Sequence, residues 1–248
     1  VPPEALTRLP PEGDAPSGLA KPVPRVRWHL GRAGFTLQRP LQADNHPQPF
    51  MTTPQNPHFT TQIVHADRRG GAEHGPIHQP VHTSVQYGFD KVEDLIAVFQ
   101  GTAKGGFNYA RQGTPTTAAL EAKLTQMEQG QGAIVFSTGM AGICAIFLTL
   151  LKAGDHLVAS KFVFGNTNSV FGTLADLGIE VTTVDVTDAA QVAAAVRPHT
   201  RMVFVETIAN PGTQMPDLEG IGALCKERGL LYVVDNTVAS PYLFRPGT

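Results

Sequence analysis

The chain has 248 residues, of which 42% are hydrophobic and 16% charged, and its formal net charge is -2. That composition suits a globular core and excludes a wholly disordered chain. The near-neutral charge excludes the strongly basic face expected of a protein that binds nucleic acid or an anionic membrane.

Residues 1–50 differ from the rest. They hold half of the prolines, including Pro2-Pro3, Pro10-Pro11, Pro22-Val23-Pro24 and Pro47-Gln48-Pro49, and no apolar period persists there. Proline fixes φ and removes a backbone donor, so packed elements are not expected. The first methionine is Met51. We read residues 1–50 as disordered or as a non-native extension. A targeting tail is the rival reading: four arginines lie between Arg25 and Arg39, but Glu4, Glu12 and Asp14 argue against it. His74, His78 and His82 have the spacing of helix-borne metal ligands, yet Pro76 and Pro80 break any such helix, so no metal site is expected.

Regular α/β patterning begins near Pro115. Thr116 or Thr117 can cap a helix in which Leu120, Leu124 and Met127 recur at helical spacing. Gly130-Gln131-Gly132 lacks the third glycine of a dinucleotide loop. Ala133-Ile134-Val135-Phe136 reads as a buried strand, and a helix from Met140 to Leu151 follows, ended by Gly154. The pattern then predicts a strand over His156–Ala159, a helix over Val170–Leu177 and a strand over Ile179–Val184. Next come a helix over Ala189–Val196, a strand over Met202–Val205, a helix over Leu218–Arg228 and a last strand over Leu230–Val234. Short apolar strands alternating with helices predict an α/β fold, a mostly parallel sheet with helices on both faces. The longest apolar stretch, Ala141–Leu151, is too short to span a bilayer. Cys144 and Cys225 read as buried thiols in a reducing compartment, so a cytoplasmic protein is expected. Asp185 and Asp188 read as solvated caps, and no Gly-x-Ser-x-Gly elbow supports hydrolase chemistry.

The chemically informative residues fall after the predicted strands, where ligands of such sheets bind. Strand, then Ser137-Thr138-Gly139-Met140, then helix can seat a phosphate on free helical amides, although an ordinary capped turn has the same pattern. Asp235 follows four apolar residues and should be half-buried, where a carboxylate needs a cationic partner. A strand-end cap is the plainer reading of Asp235 alone.

Taken together, four motifs carry a resemblance. They are Tyr109-Ala110-Arg111 leading to Thr114-Pro115-Thr116, Ser137-Thr138-Gly139-Met140, Glu206-Thr207-Ile208-Ala209-Asn210-Pro211, and Asp235-Asn236-Thr237. From Gly75 onward the chain resembles the Cys/Met-metabolism enzymes that depend on pyridoxal 5'-phosphate (PLP), the cystathionine γ-synthase and O-acylhomoserine sulfhydrylase group. The resemblance implies the large domain of a fold-type I PLP enzyme. It assigns residues 51–108 to an N-terminal arm and dimer-contact segment and residues 109–248 to an incomplete PLP-binding domain.

The resemblance also implies roles. Tyr109 and Arg111 reach the cofactor phosphate of a neighbouring subunit, the arginine fork matching phosphate oxygens. Gly139 and Met140 supply backbone donors to that phosphate, with Ser137 and Thr138 beside them. Phe164 stacks on the cofactor ring. Many members carry tyrosine there, and phenylalanine keeps the stacking surface while removing a phenol, as in some sulfhydrylases. Asn210 bonds the ring's 3-oxygen, Asp235 faces its nitrogen, Glu206 supports this edge, and Thr237 lies behind the ring or beside Asp235. The family's cofactor lysine lies in a Ser-x-Thr-Lys stretch that has no counterpart here. Lys161 follows Ser160 in the wrong order, and Lys226 falls on a predicted surface helix. The expectations are a chain truncated before that lysine, an absent C-terminal small domain, and no activity in the chain by itself. For the parent protein they are γ-replacement on an O-acylhomoserine by a sulfur nucleophile, in methionine biosynthesis or cysteine metabolism. C–S lysis is the alternative, and a non-catalytic fragment a third reading. An amino-acid substrate and a homodimer that shares active sites, assembled as a tetramer, are implied, without nucleic acid or membrane.

Overall fold

The computed structural model describes residues 59–60, 64, 76, 78–103 and 106–248. The readings made for residues 1–50 and for His74 lie outside them.

Helix α1, Val92–Phe99, was not anticipated. Its signal is present in the sequence: Val92, Leu95, Ile96 and Phe99 recur at helical spacing behind Glu93 and Asp94 in the first turn. Helix α2 is Pro115–Met127. Its cap is Thr114 rather than Thr116 or Thr117. Thr114 Oγ1 accepts from Thr117 N–H at 3.1 Å, Thr117 Oγ1 accepts from Thr114 N–H at 2.9 Å, and Pro115 takes the first helical position, where no amide is needed.

Residues 133–136 correct the next expectation, because they form no strand. Ile134 is 71% exposed and Phe136 49% exposed. An apolar run becomes a strand only when a ladder partner lies beside it. Here Val135 N–H instead donates to Glu121 Oε1 at 3.2 Å.

The remaining elements alternate as predicted, save for a short last helix that was not anticipated. They are α3 (Gly139–Leu150), β1 (His156–Ser160), α4 (Gly165–Asp176), β2 (Glu180–Val184), α5 (Ala189–Ala195), β3 (Thr200–Glu206), α6 (Leu218–Arg228), β4 (Leu231–Asp235) and the short α7 (Ser240–Leu243). Helix α4 begins five residues before its predicted start at Val170, because Phe164 already acts as its N-cap. Gly178 and Gly229 adopt positive φ where α4 and α6 end, as the helix-end reading requires, whereas α3 ends at an extended Leu151 and Gly154 takes its positive φ in the turn before β1.

The four strands form one parallel sheet in the order β2-β1-β3-β4. Alternation divides its two faces. Leu157, Ala159, Met202 and Phe204 pack against Phe147 and Leu151 after α3 and against Phe171 and Leu174 of α4. Val158, Val203 and Val205 pack against Val192 of α5 and Ile221 and Cys225 of α6. Helices thus cover both faces, and the central strands β1 and β3 are buried almost throughout. Cys225 is buried and its thiol is pushed up to about 11 by burial. Cys144, also free, is only half-buried, contrary to expectation. No helix among the described residues is long and apolar enough to cross a membrane.

The amino ends of the strands hold a polar cluster. His156 is fully buried, with Nδ1 2.7 Å from Thr200 Oγ1 and Nε2 2.9 Å from Thr182 Oγ1. Arg197 and His199 both reach Glu180 beside it. Burial, then Arg197 and His199, hold the imidazole below the ordinary histidine value of 6.5, against the opposing pull of Glu180. A depressed value means that the fold favours neutral His156. Its stabilising contribution is therefore present above about pH 6.5 and lost as pH falls through the lowered value. We expect the Tm of the wild-type protein to fall more steeply below that pH than the Tm of His156→Gln. Parallel pH profiles would contradict this.

Candidate functional site

In a parallel sheet every strand ends at the same edge. Each helix runs back against the strands, so the helix amino ends gather at that edge too. The predicted site residues after Phe136, Val163 and Val205, and at the end of β4, are drawn to this edge by topology alone.

Glu206 closes β3 and Asp235 closes β4, paired in register on neighbouring strands. Glu206 is buried. Its Oε1 accepts from Phe164 N–H at 2.7 Å and its Oε2 from Asn210 N–H at 3.4 Å. Burial raises the Glu206 carboxyl above the ordinary carboxylate range, the two amides pull it down, and the negative charge of Asp235 adds to the rise. Asp235 is half-buried, as expected. Its Oδ1 accepts from Thr237 N–H at 2.9 Å and Thr237 Oγ1–H at 2.5 Å. Thr237 thus stands beside Asp235, one of its two expected places. Asp235 Oδ2 receives no hydrogen bond from the described residues. A carboxylate fixed through one oxygen and open at the other is suited to a directed cationic N–H.

Thr138 caps α3 and accepts from Ala141 N–H at 3.0 Å, and the first helical backbone bond runs from Gly142 N–H to Thr138 O at 3.2 Å. The amides of Gly139 and Met140 precede that bond and find no helical carbonyl. A Cβ placed on Gly139 would meet nothing within 4 Å. No protein atom therefore requires glycine there, while an anion seated on these amides would.

Two contacts tie this turn to the strand ends. Thr167 Oγ1–H points at Met140 Sδ at 4.0 Å, from the first turn of α4. Phe164, 43% exposed, caps that helix and is held by Glu206. Met140, Thr167, Phe164, Glu206, Asn210, Asp235 and Thr237 therefore form one connected set. Thr167 is buried and was missed by sequence reasoning. Its signal was the third position of a helix that opens on Phe164.

Tyr109 and Arg111 lie elsewhere. Tyr109 bridges Gln86, and the Arg111 guanidinium sits 4.9 Å from the Tyr109 ring centre. Both border a hollow of about 330 Å³ with Tyr87, Leu95 and Phe99. Among the described residues, no hydrogen bond or ion pair joins either to the strand-end set. Lys161 pairs with Asp185 at 3.1 Å, and Lys226 is exposed, so neither lysine serves the site. Asp188 caps α5 as expected, accepting from Ala190 N–H, whereas Asp185 is half-buried, accepting from Thr187 N–H within the loop and pairing with Lys161. No group of metal-ligating side chains occurs among the described residues.

The residues fit pyridoxal phosphate on two observations: the open space and free amides at Gly139 for an anion, and the unpartnered Asp235 Oδ2 for a protonated ring nitrogen.

Comparison with known proteins agrees. The profile of the Cys/Met metabolism PLP-dependent enzyme family matches residues 60–247. The L-methionine gamma-lyase of Pseudomonas deceptionensis is 34% identical over 190 residues, 76% of this chain and 47% of that protein. The cystathionine gamma-synthase of Mycobacterium leprae is 35% identical over 189 residues, 76% of this chain and 47% of that protein. A crystal structure of a putative O-acetylhomoserine (thiol)-lyase from Campylobacter jejuni, with a pyridoxyl-lysine phosphate, superposes with a TM-score of 0.73 at 27% identity. It covers 77% of this chain and 47% of that one. The chain spans about half the length of the curated relatives it matches.

Proposed function

We propose that this chain, which belongs to the Cys/Met metabolism PLP-dependent enzyme family, is part of an enzyme that replaces the γ-substituent of an O-acylated homoserine with a sulfur nucleophile. The protein is of an α/β fold-type I class whose members act on sulfur amino acids. Pyridoxal phosphate, when bound, supplies an electron sink for carbanions next to the amino nitrogen. The chain's own residues do the rest. The Gly139 and Met140 amides bind the phosphate, and Asp235, steadied by Thr237, keeps the ring nitrogen protonated. Asn210 orients the ring through its 3-oxygen, and Phe164 covers one face and excludes water. Tyr109 and Arg111 serve a second subunit's phosphate, which makes a site-sharing dimer part of the proposal, with a tetramer as the assembly.

The observation that supports γ-replacement is Phe164, whose amide Glu206 holds and whose ring, the proposed stacking surface, carries no phenol to move a proton. A second reading, C–S lysis, is favoured by the methionine and cystathionine lyases among the similar proteins. The full-length protein should form cystathionine or homocysteine from an O-acylhomoserine with cysteine or sulfide. Release of keto acid and ammonia from cystathionine or methionine alone, without the replacement reaction, would favour the lyase instead.

A further inference from the structure

Three chain segments meet at Glu206. Its Oε1 holds the amide of Phe164, which opens α4, and its Oε2 holds the amide of Asn210 in the loop after β3. Its neighbour in the sheet is Asp235. The side chains of Phe164 and Asn210 branch from the Cα atoms next to the two amide nitrogens this carboxylate grips. Neither amide is bonded to another described group.

We propose that Glu206 is a positioning residue that sets the spacing between the aromatic platform of Phe164 and the side chain of Asn210. Both then meet one ring in a fixed relation to Asp235. The inference rests on the cofactor reading above and deepens it. Glu206 need not touch the cofactor, because it acts through two backbone amides. Two acceptor oxygens are needed for two donors. A glutamine offers one oxygen and one NH2, so it can satisfy only one of the amides and faces the other donor to donor.

The energetics separate this role from a merely structural one. Burial beside Asp235 makes ionised Glu206 unfavourable in the empty fold, since its carboxyl is held above the ordinary carboxylate range. A raised value gives stability below the ordinary range that is lost as pH rises through the folded value. At neutral pH the uncharged glutamine relieves that burden. The carboxylate is thus kept at a place where burial and Asp235 outweigh what its two amide bonds give its charge, which is the pattern of a site residue.

The test is Glu206→Gln in the full-length protein, read by titration with pyridoxal phosphate, by the visible circular dichroism of the bound cofactor, and by the Tm of the cofactor-free form. The expected result is a cofactor-free Tm close to that of the wild type, the lost amide bond offsetting the relieved burial of charge. Affinity for pyridoxal phosphate should fall by about tenfold, with an altered dichroic band from a tilted ring. Unchanged affinity and an unchanged band would overturn the proposal. Should the variant fold poorly, Glu206→Asp keeps the charge but shortens the reach, and it should shift the band in the same way. A double-mutant cycle with Phe164→Ala adds a second reading. If Glu206 acts through Phe164, the combined loss of affinity is smaller than the product of the single losses. Fully independent losses would overturn the proposal. A wild-type protein that binds no pyridoxal phosphate would instead remove the cofactor reading, and the positioning role with it.

Discussion

Replacing Asp235 with alanine in the full-length protein is expected to lower turnover by about a hundredfold or more, with little change in folded stability. The carboxylate stands at the end of β4, held at Oδ1 by the Thr237 amide and hydroxyl and open at Oδ2. Its proposed role is to keep a heteroaromatic nitrogen protonated, an electrostatic effect that is stronger in a half-buried place than in open water. Against the two Thr237 bonds stands Glu206, which Asp235 faces across the register and whose carboxyl it raises further. Removing Asp235 therefore relaxes a like-charge pair. Steady-state kinetics and a thermal melt of the same variant check both halves. Asp235→Asn tests the charge separately, since it keeps the shape and an acceptor oxygen but supplies no negative charge, and it should be nearly as inactive as alanine. A variant that turned over at the wild-type rate would remove Asp235 from the site. Thr237→Val, which leaves the carboxylate in place but frees its orientation, should cost less.

The legible part of this molecule is the part governed by local period. The strands β1 to β4 and the helices α3 to α6 follow from apolar runs and helical spacing punctuated by Gly154, Gly178 and Gly229, and their bounds fall within a residue or two except at the start of α4. What depends on a distant partner was not legible. Ala133–Phe136 has the composition of a strand, but pairing is a property of two segments, and no described strand lies beside it. The contact of Thr167 with Met140 spans 27 residues, and the grip of Glu206 on Phe164 spans 42, so neither leaves a trace in any short window. The motifs nonetheless named Glu206, Asn210, Asp235 and Thr237, because their residue types are hard to explain by packing at the end of a buried strand. The motif could place Glu206 at this edge, but only the fold shows which two amides it holds.

Phe204→Ala is expected to lower folding stability by about 3–5 kcal/mol, a large share of the roughly 5–15 kcal/mol available to a domain. Phe204 is 1% exposed, and its ring lies 5.3 Å from Phe147 of α3 and 6.4 Å from Phe171 of α4, centre to centre. It is a contact through which both helices seat on the central strand, beside Met202. Side chains two apart on a strand share a face, so Phe204 stands on the same side of β3 as Glu206. The ring that seats α4 and the carboxylate that grips its first residue are therefore consecutive steps on one face. The cavity left by alanine should loosen α4 where Phe164 begins it, and weaken binding of pyridoxal phosphate as well as stability. Val203→Ala, one residue earlier and facing Val192, Ile221 and Cys225 on the opposite side, should lower stability with little change in cofactor affinity. Denaturant unfolding and cofactor titration of the two variants decide the matter. Equal losses of affinity at the two positions would mean that the site is not anchored to one face of the sheet.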